Sequence, residues 1–220
     1  MEKKKVIPWK ENKIISIETR KGTYVIAQML KSPYLRFYNT FMDSENWGKI
    51  DLSFFETLFV NSVTKQFLQS SNISVVKDAI PDLNRELPKE WIQGYMGNRK
   101  VKVWAETENE REFIILGDKP GGSLISRDIS KGGNQDKKII LHDIPLDANN
   151  IIDEHELTGL CVFPLSNERL FLCHILGKNV DPNKDLIFDR SIPLEYKIYI
   201  DIKTATGHNE KDQILNEYYY

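Results

Sequence analysis

Three β-prone runs follow one another within the first forty-one residues, and they constrain the fold more than any other feature. Lys13 to Thr19 is rich in β-branched residues; Arg20-Lys21-Gly22 supplies a turn in which glycine tolerates positive φ; Thr23 to Leu30 returns. Ser32-Pro33 breaks the pattern, and Tyr34 to Phe41 is a third run. Strands joined by such short turns make an antiparallel meander. Asp43 to Asp51 reads as a loop, Leu58 to Val63 as a fourth strand, and Thr64 to Ser70 as a short helix capped by Thr64. Ile73 to Val76, Val101 to Ala105 and Glu112 to Leu116 are further strand candidates, with an irregular passage forced by Pro81 and Pro88.

Breaker residues then concentrate in Gly117-Asp118-Lys119-Pro120-Gly121-Gly122 and Lys131-Gly132-Gly133-Asn134-Gln135-Asp136. They set an expected division into a β-rich domain over 1–117, a linker over 118–138 and a second β-rich domain over 139–220. The second half is read as Gly159–Leu165, a turn at Ser166–Arg169, then Leu170–Leu176, Asp185–Phe188 and Tyr196–Ile202 as strands, with Glu217 to Tyr220 a loose tail. Its first hairpin aligns without a gap on Lys13 to Leu30, as in a tandem duplication, although any two buried hairpins would align so. The expected class is a β-rich α+β protein with two similar bent antiparallel sheets or SH3-like barrels and short helices. One continuous domain, with strands of both halves in one sheet, is the alternative.

Charge and cysteine content narrow the function. The chain carries 30 basic and 32 acidic side chains in 220 residues, so it lacks the basic excess of a nucleic-acid binder, and no nucleic-acid partner is expected. Its apolar runs are too short to span a bilayer, and no apolar core follows Met1-Glu2-Lys3-Lys4-Lys5, so a cytoplasmic chain with no membrane partner is expected. Cys161 and Cys173 fit reduced, buried thiols.

Chemistry is sparse. His142, His155, His174 and His208 show no metal-ligand spacing, and Cys173 and His174 are adjacent, so in a strand they face opposite ways. Neither a nucleophile elbow nor a phosphate-binding loop is present. No catalytic, cofactor-binding or metal-binding residue is assigned, and no cofactor is expected. The candidates are for partner binding: Trp47 in its loop, and the acidic residues Asp153, Glu154 and Glu156, which suit steering of a basic protein. Glu106 to Glu112 is a second acidic stretch of that kind.

Several of these runs together resemble the immunity protein 26 family. They are Lys13 to Leu30 with Tyr34-Leu35-Arg36-Phe37, then Thr57 to Leu68, then Ser74 to Pro81. Val162 to Leu165 and Ile175-Leu176 echo the opening. The chain departs from the family in having Glu18-Thr19 where a Pro-Leu pair is usual, while the second half carries Pro164-Leu165. The resemblance implies a bacterial immunity protein that binds and neutralises a cognate protein toxin in the cytoplasm. Some members carry a phosphotriesterase label, for which this sequence offers no metal cluster. A hydrolase whose site is not visible in sequence and a nucleic-acid-binding tandem β-barrel are the competing readings.

Overall fold

A computed structural model describes residues 7–131, 137–205 and 207–220. The meander forms as its β-branched runs and short turns indicate. Strands β1 (Ile14–Glu18), β2 (Tyr24–Met29), β3 (Tyr34–Met42) and β4 (Thr57–Val63) are sequential antiparallel neighbours. Gly22 takes φ +77° in the first turn, where Thr19 and Thr23 close the backbone with a 2.7 Å hydrogen bond. Thr64 caps α1 (Lys65–Ser70), its hydroxyl accepting from the Phe67 amide at 3.0 Å. β5 (Ile73–Val75) then pairs with β1 at the far edge.

The sheet buries both faces, and period-two alternation sorts its side chains between them. Ile15, Ile17, Val25, Ala27, Met29, Leu35 and Phe37 belong to the main core. Ile14, Ile26 and Tyr38 face the other way and pack with Trp47 and Leu52.

The middle of the chain builds two smaller sheets. β7 (Asn98–Val103) and β8 (Arg111–Leu116) form a hairpin whose Val103 and Ile115 enter the main core. β6 (Glu90–Gly94), β9 (Gly122–Ser126) and β10 (Lys138–Leu141) form a three-stranded sheet in the order β10-β9-β6. Gly122 is required there, because a Cβ at that position would lie 2.6 Å from the Gln93 carbonyl oxygen. The segment expected to be a linker therefore carries the central strand of a sheet. Its second breaker cluster, from Gly132 to Asp136, lies outside the described residues, as do Met1 to Val6.

The second half corrects the expected β-repeat. It consists of α2 (Asn149–Glu154), β11 (Leu160–Cys161), α3 (Leu165–Leu176), α4 (Pro182–Ile187), α5 (Lys197–Thr204) and α6 (His208–Tyr218). The segments read as strands at 170–176, 185–188 and 196–202 are mostly helical. Leu170, Leu172, Cys173, Tyr199 and Ile200 share the main core with the meander. β11 adds in parallel to the edge of β4, pairing Leu160 with Ser62 and Cys161 with Val63. Strands of both halves thus share one sheet, in the order β11-β4-β3-β2-β1-β5. The class is α+β, with one curled sheet, smaller antiparallel sheets and short helices. The expected loose tail is instead the end of α6 and the residues after it, where Tyr219 bonds into the interior. Among the described residues no helix is long and apolar enough to cross a membrane.

Candidate functional site

Arg169, on α3, stands at the centre of a buried charge bridge and is only 6% exposed. Its Nη2 donates to Glu156 Oε2 at 2.8 Å and to Asn179 Oδ1 at 2.9 Å, and its Nε donates to the Val180 carbonyl at 2.7 Å. Nη1 meets Asp181 Oδ2 at 3.1 Å. The guanidinium plane covers the Phe59 ring, 3.8 Å from its centroid.

Local sequence explains why the partners converge. Asp181 and Pro182 are a helix start: the carboxylate accepts from the Asn183 and Lys184 amides and caps α4, with proline in the first turn. Glu156 is fixed by its own carbonyl, which accepts from the Ile92 amide of β6 at 2.8 Å. Asn179 Nδ2 donates to Glu156 Oε1 at 2.8 Å, and Lys184 Nζ donates to the His155 carbonyl at 2.9 Å. Burial opposes ionisation of Glu156. The charges of Arg169 and Lys184, with the hydrogen bonds from Asn179 and Arg169, outweigh it and hold the carboxyl below the ordinary glutamate range. Burial also disfavours a charged Arg169, but Asp181 and Glu156 push its proton affinity above the usual value.

Two clefts open on either side of this bridge. The larger, about 600 Å³, lies between β4, the 85–90 segment and the end of α2. Among the described residues its exposed charged groups are Glu86, Glu90, Glu154 and Lys89, while half-buried Arg85 and buried Arg36 also line it. His155 Nε2 lies 3.2 Å from Glu90 Oε2. The smaller cleft, about 340 Å³, lies between β8, β11, α3 and α5. Arg169, Asp181, Asn183 and Lys203 form its polar wall, and Leu116, Leu160 and Leu165 its apolar side. Cys161 also lines it, yet burial pushes the Cys161 and Cys173 thiols up to about 11, so both stay protonated and unreactive near neutrality.

The four partner-binding candidates separate. Glu154 and Glu156 reach the same cleft, Glu154 exposed and Glu156 buried in the bridge. Asp153 is exposed but bonded to Arg190. Trp47 is 7% exposed and donates from Nε1 to Ser16 Oγ at 2.8 Å, so it is a core residue and offers no surface to a partner. Sequence reasoning missed Arg169, Asp181 and Lys203. Asp181-Pro182 is a readable helix start; Arg169 reads as a turn residue in sequence, and nothing in the local pattern marks Lys203. Among the described residues no three His, Cys, Asp or Glu side chains converge as metal ligands.

Fold and site together define an α+β protein whose interior charge bridge separates two clefts. The chain belongs to the family described as a domain of unknown function (DUF8309), whose model matches residues 4–191. α5 and α6 follow the matched segment. Neither a curated protein nor a solved structure matches the chain.

Proposed function

We propose that the chain is a non-catalytic protein-binding module of the immunity type, which captures a basic protein toxin at the larger cleft. The observation that carries this reading is the rim of that cleft, where, among the described residues, Glu86, Glu90 and Glu154 are exposed against the one exposed cation Lys89. An exposed acidic rim attracts a basic partner and accelerates encounter, although Arg36 and Arg85 line the cleft deeper in. The sequence resemblance to immunity proteins supports the same reading. So does the state of the interior groups: the Arg169 bridge is internally bonded and both thiols are held protonated.

The experiment is capture with the purified chain against the product of a neighbouring toxin-like gene, followed by association kinetics. A specific complex is expected, and Glu90→Lys with Glu154→Lys should slow association about ten-fold at low salt and less at high salt. An association rate that ignores both substitutions at low salt would remove the larger cleft from the reading. Failure to retain any toxin-like product would remove the immunity function.

A further inference from the structure

We propose that the smaller cleft is a binding pocket for an amphipathic carboxylate, with its charged end held by Lys203 and its apolar body against Leu116, Leu160 and Leu165. This site is distinct from the acidic cleft and does not depend on the function proposed above.

The charged end follows from Lys203. Its Nζ donates to Asn183 Oδ1 at 3.1 Å, and among the described residues no carboxylate forms a salt bridge with it. Asp181 is the acid whose field acts on Lys203, and that carboxylate is already held by Arg169 at 3.1 Å and by the first amides of α4. Arg169 is paired with both Asp181 and Glu156, whereas Lys203 has a neutral amide as its hydrogen-bond partner. Glu156, the other partner of Arg169, lines the opposite cleft. The Arg169 guanidinium is committed to its two carboxylates, so Lys203 is the cation of the wall left to meet an anion. Burial pulls Lys203 below the ordinary lysine range, and a bound carboxylate would raise it again.

The apolar body follows from the opening. Leu116 is 75% exposed and Leu160 63% exposed, and both line the cleft beside Leu165. Leucines left in water at the mouth of a polar pocket stabilise a ligand that covers them. The volume, about 340 Å³, suits a small ligand or one inserted side chain.

Hexanoate, acetate, hexanol and the blocked peptide N-acetyl-Leu-Glu-Leu-amide are titrated into the full chain, with leucine methyl and lysine ammonium signals followed by NMR. Hexanoate is expected to shift the Leu116, Leu160 and Leu165 methyls saturably and to raise the Lys203 titration midpoint. Acetate and hexanol should each bind about ten-fold more weakly, as should hexanoate to Lys203→Gln, with Lys203→Arg restoring part of the affinity. Leu160→Ser, at an exposed position, should weaken hexanoate but leave acetate unchanged. Tighter binding of the peptide would assign the carboxylate to a protein side chain, and tighter binding of hexanoate to a free acid; either supports the pocket. Equal binding of hexanol and hexanoate, equal binding by native chain and a folded Lys203→Gln, or no saturable shift with any probe would overturn it.

Discussion

Glu156 and Arg169 lie 13 residues apart in the chain and meet at 2.8 Å in an interior that almost no solvent reaches. A buried pair of this kind is sensitive to loss of one member, because the survivor keeps its desolvation cost. Glu156→Gln should therefore destabilise the protein by about 3 kcal/mol, less than the most severe cases because Asp181 still faces Arg169. Equilibrium urea unfolding measures it; a change within ~0.5 kcal/mol would show that the bridge adds little.

The same pair makes stability depend on pH. The folded-state value of Glu156 is lowered, so the unfolded chain binds the proton first as pH falls. Its contribution is complete above the unfolded glutamate value of about 4.3 and is lost as pH drops below that towards the folded value. Asp185 has the opposite sign, since burial raises its carboxyl and its ionisation weakens the fold as pH rises through the unfolded aspartate value of about 3.9. Unfolding series from pH 3 to 7 on native protein and Glu156→Gln should differ in slope on the acid side.

Glu168, the residue beside Arg169, is fully buried and bonds to Arg20 through both oxygens and to the Tyr219 hydroxyl at 2.6 Å. Burial and the Glu168 charge push the Tyr219 hydroxyl far above the ordinary tyrosine range, so it stays a donor. Tyr219→Phe should cost about 1–2 kcal/mol. Arg20→Ala should cost about 3–5 kcal/mol, because it leaves a buried carboxylate without its cation. Thermal and urea unfolding check both, and a smaller loss for Arg20→Ala than for Tyr219→Phe would reverse this ranking.

Neither thiol should react with a disulfide reagent in the folded protein at pH 8, whereas both should react at once in urea. Mass spectrometry of a timed labelling series reads this directly. Fast native labelling of Cys173 would mean that the end of α3 opens readily.

Trp47 serves the core, so Trp47→Ala should cost about 3–5 kcal/mol. Trp47→Phe, which loses the bond to Ser16, should cost about 1–2 kcal/mol and leave partner capture unchanged. A folded Trp47→Phe that fails to bind would return the residue to the interface.

The meander was legible because its pattern has one solution. β-Branched and aromatic residues from Ile14 to Met29, a glycine turn and the Thr64 cap all agree with the global structure. Leu165 to Leu176 was ambiguous: a dense apolar run fits a buried strand or a buried helix equally well. The deciding signal was Gly177, which ends α3 in the left-handed conformation at φ +64°. Tyr196 to Ile202 alternates in sequence, yet the buried set Tyr196, Tyr199, Ile200 and Ile202 has helical spacing. The acidic stretch ending at Glu156 could be flagged, but its division into exposed Glu154 and buried Glu156 depends on Arg169, which only tertiary structure brings near.

Lys21 also donates its amide to the Tyr218 carbonyl at 3.0 Å, beside the carboxylate that Arg20 and Tyr219 share. The turn between β1 and β2 and the helix α6 are thus buckled together at Glu168. Fraying of α6 must release the turn between β1 and β2, so that turn and α6 lose protection as one unit.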